Sequence, residues 1–127
     1  MRKYERPARR FADANQEIRA SCYSTVSRVT AEKCGCGVLG KQLLRSATSV
    51  AAHYREACRA KSDLDFISKL EGAQQELEES ELWLELLSDS GVIKPRLIQP
   101  LREETNELIA ILVTMTRKVK TRRKSTI

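Results

Sequence analysis

Residues 66–87 read FISKLEGAQQELEESELWLELL, and this stretch decides the fold. Apolar side chains, with one serine among them, recur at alternating steps of four and three residues, which is the rhythm of an α-helix that packs along one stripe. The members of this stripe are Phe66, Leu70, Ala73, Leu77, Ser80, Leu84 and Leu87. The alternation with period two that is typical of a strand is missing. The sequence therefore predicts a long amphipathic helix.

Signals for the start and the end of a helix flank this stretch. Ser62 and Asp65 have the spacing of a capping box, with Asp in place of the usual Glu, and Asp63 adds negative charge at the positive end of the helix dipole. Gly91 follows the last apolar turn and supplies a stop. We therefore expect the helix to begin near Ser62 and to end before Gly91.

Three further segments show the period of an amphipathic helix. One runs from about residue 13 to 33 and precedes a loop at 34–37, where two glycines make helix continuation costly. The next begins directly after that loop, and the last has its main part from near Pro100, because proline is tolerated in a first turn but not deep inside a helix. Their inner positions, in chain order, are Phe11, Ile18, Cys22, Val26 and Val29; Leu43, Leu44, Ala47, Val50, Ala51, Tyr54 and Cys58; and Leu101, Thr105, Leu108, Leu112, Met115 and Val119.

Four long amphipathic helices with short connections predict an all-α protein, an antiparallel up-down four-helix bundle with a left-handed supercoil. The chain of 127 residues has the length of one domain. We divide it into a basic N-terminal arm at 1–12, the bundle at 13–120 and a basic C-terminal tail at 121–127. No apolar run approaches the roughly 18 residues that cross a bilayer, and the N-terminal sequence has no signal-peptide pattern. We expect a soluble, cytoplasmic protein.

The net charge of +6 is concentrated near the two ends of the chain. Residues 1–10 carry five basic side chains against one acidic side chain, and residues 117–127 carry six basic side chains and no acidic one. Those six are Arg117, Lys118, Lys120, Arg122, Arg123 and Lys124. Two interpretations stay open, a tail that only aids solubility and an arm that seeks phosphate groups.

A second basic pattern lies on the second predicted helix, where four cations fall within an arc of about 80° on the side away from the core. This basic ridge consists of Lys41, Arg45, Arg55 and Arg59. The third predicted helix is its opposite, with nine acidic side chains against Lys69. The ridge indicates either charge pairing between neighbouring helices or subunits, or a surface for nucleic acid. Stacking of bases has little support, because exposed aromatic residues are not interleaved with these cations.

Apolar side chains outside the stripes form a second apolar face on the third and fourth predicted helices. They are Leu82, Trp83, Leu86, Ile109 and Val113. A compact bundle could wrap these positions, but a monomer that exposed them would be unusual. We therefore expect them to form the contact between the subunits of an oligomer.

Patterns typical of a catalytic or cofactor site are incomplete in this chain. Residues 35–40 read GCGVLG, a literal G-x-G-x-x-G, but a predicted helix precedes them where a dinucleotide site needs a strand. The single histidine, His53, has Val50 three residues before it, where a di-iron bundle needs Glu. We expect no enzyme activity, no catalytic residue and no cofactor.

The four cysteines do not have the geometry of a metal site. At 1.5 Å per helical residue, Cys22 and Cys58 lie too far from Cys34 and Cys36 for the four thiols to reach one zinc ion. Cys22 and Cys58 fall on apolar stripes and are expected to be small core residues. A redox or metal role for Cys34 and Cys36, in their glycine-rich loop, stays an alternative.

Five segments of the chain carry a family resemblance: residues 40–50, GKQLLRSATSV; 54–57, YREA; 66–70, FISKL; 83–87, WLELL; and 106–108, NEL. Through them the chain resembles bacterial four-helix bundle proteins that are often encoded in intervening sequences of large-subunit ribosomal RNA genes, a family without a settled biochemical activity. The resemblance implies an antiparallel four-helix bundle that assembles into a homopentameric ring. It also implies a distant likeness to the accessory proteins of diversity-generating retroelements, basic pentamers that engage nucleic acid and a reverse transcriptase.

The resemblance carries over a polar surface set that consists of Arg45, Arg55, Glu56 and Arg59. The chain departs from the family at His53, where Asn is usual, and at Ala51, where Gly or Pro is common. The cysteine loop at 34–37 is not a family feature either. These departures put a shared ligand at that helix face in doubt.

Charge placement and resemblance together predict a non-enzymatic, homopentameric protein that binds nucleic acid or a nucleic-acid enzyme through its basic tails and the basic ridge. The alternative is a purely structural, self-assembling protein in which the helix charges pair within or between subunits. Neither hypothesis involves a membrane or a small-molecule substrate.

Overall fold

A computed structural model describes residues 16, 36–91 and 93–125 of the protein. These residues form three α-helices, α1 at Cys36–Cys58, α2 at Asp63–Asp89 and α3 at Pro95–Ser125, and contain no strand. They correspond to the second, third and fourth predicted helices. The first predicted helix and the basic arm lie outside the described residues, apart from Gln16, which is helical and exposed. None of the described helices has an apolar stretch long enough to cross a membrane.

The central helix of the described part is α2. It packs against α1 on one side and α3 on the other, whereas α1 and α3 do not come into close backbone contact with each other. Contacts within each packed pair occur in inverse sequence order, so neighbouring helices run antiparallel. The contacts that show this are Ser46–Ser80, Glu56–Lys69, Glu81–Arg102 and Glu71–Lys120.

The stripe on α2 is buried along its whole length, as the sequence predicts. All seven predicted positions are buried, and Ile67 joins them. Burying one side chain such as Phe66 or Leu70 stabilises a fold by about 1.5–3 kcal/mol. This stripe therefore contributes much of the stability of the described part.

The inner faces of α1 and α3 complete the core. On α3 all six predicted positions are buried, with Ile98 and Thr116 in addition. On α1 four of the seven predicted positions are buried, whereas Leu44, Ala51 and Cys58 are only half-buried. Helical geometry places these three on the flank of α1 that faces away from α2.

Ser46 and Ser80 place two hydroxyl groups in the contact between α1 and α2. Both side chains are buried, and their Oγ atoms are 2.7 Å apart. Each Oγ also lies near a carbonyl oxygen of its own helix, at 3.1 Å for Leu43 and 2.9 Å for Glu76. Because each hydroxyl has one proton, one serine donates to the other, and the acceptor donates to its own helix. The pair is thus satisfied and holds α1 and α2 in register.

The predicted start and stop of α2 are confirmed. The backbone N–H of Asp65 donates to the Ser62 hydroxyl at 3.1 Å, and the N–H of Lys61 donates to the Asp65 carboxylate at 3.2 Å. This reciprocal arrangement is that of a capping box, with the carboxylate reaching one residue further back than usual. At the other end Gly91 has a φ of 75°, which glycine adopts without strain, and its N–H donates to the Ser88 carbonyl.

Two predicted helix boundaries are corrected. Cys36 and Gly37 belong to α1 and not to a loop, because the cost of about 1 kcal/mol for a helical glycine is small beside the burial of the helix that follows. The helix α3 begins at Pro95 and passes through Pro100. Pro95 stands where no backbone donor is needed, and Pro100 leaves unbonded only the carbonyl of Arg96, an exposed residue whose carbonyl water can solvate.

The helix α3 continues through the residues that the sequence assigns to a basic tail. Residues 121–125 are helical, and Arg122 Nη2 donates to Asp63 Oδ1 at 2.8 Å. Lysine and arginine are good helix formers, and cations in the last turn interact favourably with the helix dipole. The basic side chains of this segment are therefore arranged on a helix.

The serine pair generates a prediction about stability. Replacing Ser46 or Ser80 with Ala should lower the free energy of unfolding by about 1 kcal/mol each, through loss of the shared hydrogen bond. The double variant should lose less than the sum, because that bond can be lost only once. Urea denaturation measures these values, with exposed Ser68→Ala as the control that should change little. Strict additivity would show that the two hydroxyls do not interact.

Candidate nucleic-acid interface

Antiparallel packing brings the end of α1, the start of α2 and the end of α3 together at one end of the structure. Residues 55–71 and 113–125, which we name the basic end, hold ten basic side chains against four acidic ones. The ten are Arg55, Arg59, Lys61, Lys69, Arg117, Lys118, Lys120, Arg122, Arg123 and Lys124. The rest of the described part holds five basic side chains against nine acidic ones. Its charge is therefore polarised along the helix axes.

Some cations of the basic end are paired with carboxylates, and others are not. The pairs are Lys69–Glu56 at 3.1 Å, Lys120–Glu71 at 2.9 Å and Arg122–Asp63 at 2.8 Å. Six exposed cations form no ion pair with any described residue, namely Arg55, Arg59, Lys61, Arg117, Lys118 and Lys124. Clustered cations without counterions create a positive potential that attracts anions.

A groove of about 320 Å³ lies between α2 and α3 at the basic end. Its lining residues are Glu71 and Gln74 from α2, and Val113, Thr116, Arg117, Lys120, Thr121 and Lys124 from α3. Gln74 Nε2 donates to Thr116 Oγ1 at 3.1 Å, and the Thr116 hydroxyl donates to the Leu112 carbonyl at 2.9 Å. Three cations and a threonine hydroxyl along one face of a helix are a suitable set of donors for phosphate oxygens.

The structure divides the predicted basic ridge between the two ends. Arg45 reaches two carboxylates of α2, Glu79 at 2.5 Å and Glu76 at 3.5 Å. Of the two interpretations of the ridge, Arg45 therefore fits charge pairing between neighbouring helices. The other ridge cations are exposed and have no ion pair within the described part, namely Lys41, Arg55 and Arg59.

The residues predicted to form an oligomer contact differ in exposure. Leu82 and Leu86 are 46% and 37% exposed, on the side of α2 away from the core. Trp83, Ile109 and Val113 are half-buried, and Trp83 and Ile109 pack against the core. The five positions are therefore not one uniformly exposed face. Leu82 and Leu86 are the most exposed of the five and are therefore the best candidates for a contact between subunits.

Arg102 makes an ion pair that the sequence did not reveal. Its Nε atom donates to Glu81 Oε1 at 2.7 Å, and the two side chains are 34% and 17% exposed. The hydrogen bond with Glu81, together with the charge of that carboxylate, raises the pKa of Arg102 above its already high ordinary value. The pair holds α3 to the acidic half of α2, residues 72–89, which carries six acidic side chains and no basic one and lies away from the basic end.

His53 packs against Gly72 of α2. A Cβ atom added to Gly72 would lie 3.0 Å from His53 Cε1, so the imidazole ring fills the space that the glycine leaves. The buried Nδ1 atom has no hydrogen-bond partner in the described part and lies 4.0 Å from the Glu56 carboxylate. The sequence reasoning missed this contact, because it depends on the register between two helices.

Cys58 is a half-buried free thiol one helical turn after Tyr54. Burial, and secondarily the neighbouring Cys58 thiol, raise the pKa of Tyr54 above its ordinary value, so the phenol stays neutral. Among the described residues, no three His, Cys, Asp or Glu side chains come together as metal ligands. Cys34 and the side chain of Cys36 lie outside the described part, and their alternative redox or metal role stays a prediction.

Comparisons with known proteins agree with this helical architecture. A family model described as 23S rRNA-intervening sequence protein matches residues 13–114. A protein of unknown function from the S23 ribosomal protein family of Bacteroides thetaiotaomicron is 33% identical and has a similar crystal structure, with a TM-score of 0.78. The similarity covers 84% of this chain and 97% of that chain. No curated protein matches the sequence. The cations at 117–124 lie beyond the residues that the family model matches.

The contact between His53 and Gly72 generates a prediction. In a His53→Ala background, Gly72→Ala should raise the free energy of unfolding by about 0.5–1 kcal/mol, because alanine is the better helix former. With His53 present, the new Cβ would push against the ring, so the gain should be smaller or become a loss. Urea denaturation of the unaltered protein, the two single variants and the double variant measures the difference. An equal gain in both backgrounds would show that the ring does not occupy this space.

Proposed function

The chain belongs to the 23S rRNA-intervening sequence protein family, and we propose that it is a non-enzymatic module that binds the phosphate backbone of nucleic acid through its basic end. One observation carries this proposal. Cations that are distant in sequence, at 55–61 and 117–124, lie at the same end of the helices, and most of them have no counterion in the described part. A surface of this kind suits a polyanion better than a small neutral ligand.

The spacing of the cations supports contact with a phosphate backbone. Arg117, Lys120 and Lys124 follow one another at steps of three and four residues along one face of α3, so the Cβ atoms of successive members lie about 5–6 Å apart. Among the described residues, the aromatic side chains in or next to the basic end are Tyr54 and Phe66, and both are buried, so they offer no platform for bases. Binding through phosphates alone positions a nucleic acid without reading its sequence. We therefore expect weak sequence preference and strong salt dependence.

Our proposal for the whole fold is an antiparallel four-helix bundle with a left-handed supercoil. Its support is the lack of close backbone contact between α1 and α3, whose inner faces are nevertheless buried. The half-buried apolar flank of α1 and the half-buried Ile111 of α3 suit a fourth helix between them. The segment predicted as a helix at 13–33 has a matching apolar stripe.

Oligomeric assembly is the second candidate function, and Leu82 and Leu86 favour it. Two exposed leucines one helical turn apart form an apolar patch within the acidic half of α2. Such a patch suits a contact with another subunit. In a homopentamer, each subunit would contribute one basic end, so several weak phosphate contacts would act together. The likeness to the pentameric accessory proteins of retroelements remains part of this proposal.

Two matched triple variants test nucleic-acid binding. Arg59→Gln, Arg117→Gln and Lys124→Gln remove three exposed cations from the basic end, whereas Lys41→Gln, Lys94→Gln and Arg96→Gln remove three from elsewhere in the described part. Fluorescence anisotropy with labelled single-stranded RNA and DNA, between about 50 and 200 mM salt, gives the slope of log affinity against log salt. The first variant should lower the magnitude of the slope by about 2–3, because each phosphate contact contributes about 0.7–0.9. The second should resemble the unaltered protein.

The outcomes separate the candidate functions. Equal losses in both triple variants would show that net charge matters and the basic end does not. Failure of the unaltered protein to bind RNA or DNA at low salt would contradict the proposal and favour assembly alone.

A further pair of variants tests assembly. Leu82→Glu with Leu86→Glu should reduce the mass measured by light scattering, because charged side chains cannot be buried without partners in an apolar contact. Leu97→Glu is the control. Leu97 is 47% exposed and Leu82 is 46% exposed, but Leu97 lies on α3 and not on α2. Unchanged mass in the double variant would show that these leucines do not join subunits.

A further inference from the structure

The groove at the basic end contains one carboxylate among its cations. Glu71 Oε1 accepts from Lys120 Nζ at 2.9 Å, and the two side chains are 48% and 52% exposed. Arg117 and Lys124 line the same groove and form no ion pair with described residues. The groove thus contains three cations. Lys120 is paired with a carboxylate, whereas Arg117 and Lys124 have no ion pair with described residues.

We infer that Glu71 is a built-in competitor for the phosphate group that the groove binds. In the unbound groove Lys120 pairs with Glu71, and in the bound groove Lys120 turns to the phosphate oxygens beside Arg117 and Lys124. This inference rests on the proposed function and adds regulation of the same site. It assigns to Glu71 a role in weakening the binding of anions.

The energies of the contacts make this exchange feasible. A half-exposed lysine–carboxylate pair contributes only about 0–1 kcal/mol, so breaking it costs little. Arginine presents a fork of donors that matches a phosphate group, and a lysine ammonium adds a point charge. A backbone phosphate carries one negative charge, as a carboxylate does, so Lys120 can exchange Glu71 for a phosphate group beside Arg117 and Lys124 at little cost. The negative charge of Glu71 still opposes the incoming phosphate and lowers its affinity.

The floor of the groove offers an anion few hydrogen-bond donors, so a ligand is directed to the exposed side chains at the rim. The Thr116 hydroxyl already accepts from Gln74 and donates to Leu112, and Val113 is apolar, so the floor has few donors for an anion. The remaining donors are the exposed side chains of α3 at the rim, including the Thr121 hydroxyl. A phosphate group in the groove must therefore sit between these cations and Glu71.

Two substitutions with the same change of charge test the inference. Glu71→Gln should raise the affinity for a short RNA without terminal phosphate by about two- to fivefold at low salt, which corresponds to the loss of one exposed charge interaction. Glu78→Gln is the control, because Glu78 is exposed on α2, has no ion pair in the described part and does not line the groove. The control should leave the affinity nearly unchanged. An equal rise in both variants would overturn the role of Glu71.

Calorimetry with inorganic phosphate shows whether the groove binds the phosphodiester backbone of a nucleic acid or a free phosphate group. If the groove takes a phosphodiester backbone, Glu71→Gln raises the affinity for RNA and leaves binding of free phosphate undetectable. If it takes a free phosphate group, calorimetry detects binding of inorganic phosphate that Glu71→Gln strengthens. If Glu71→Gln raises the affinity for neither RNA nor inorganic phosphate, the inference is overturned. The proposed function would still be supported if the basic-end triple variant lost RNA binding. Absence of binding to RNA, DNA and phosphate overturns both.

Discussion

The basic end exists because α2 lies antiparallel between α1 and α3. The connections at 59–62 and 90–94 are too short to carry the chain to a distant site, so each helix returns along the one before it. As a result the last turns of α1 and of α3, which are far apart from each other in sequence, both lie beside the first turns of α2. Without this order the ridge cations and the C-terminal cations would be two separate weak patches.

The core and the surface charges contribute to different properties. Burial of each large side chain along α2 is worth about 1.5–3 kcal/mol, whereas an exposed ion pair is worth about 0–1 kcal/mol. The pairs at Lys120 and Arg122 therefore contribute little to the stability of the fold. Cations at the basic end can accordingly be replaced without unfolding the helices. A binding surface that is independent of the core in this way can change its ligand affinity while the fold is retained.

Patterns within single helices predicted the core, but they did not predict which side chains of neighbouring helices contact each other. The heptad stripes on α2 and α3 and the cap at Ser62 were confirmed, because their signals lie within one helix or at its end. The pairing of Arg45 with Glu79, and of His53 with Gly72, depends on the register between helices, which no single segment contains. The extension of α3 through Pro100 and into the predicted tail was missed, since the exposure of Arg96 and the contact of Arg122 with Asp63 appear only in the folded chain.

Lysine reactivity tests the central claim most directly. Acetylation of the protein with and without bound RNA, followed by mass spectrometry, reports which ammonium groups the nucleic acid covers. Binding through the basic end predicts protection of Lys118, Lys120 and Lys124, while exposed Lys41 and Lys94 react as before. Protection of Lys41 and Lys94 instead, or equal reactivity of all five lysines in the presence of RNA, would contradict binding through the basic end.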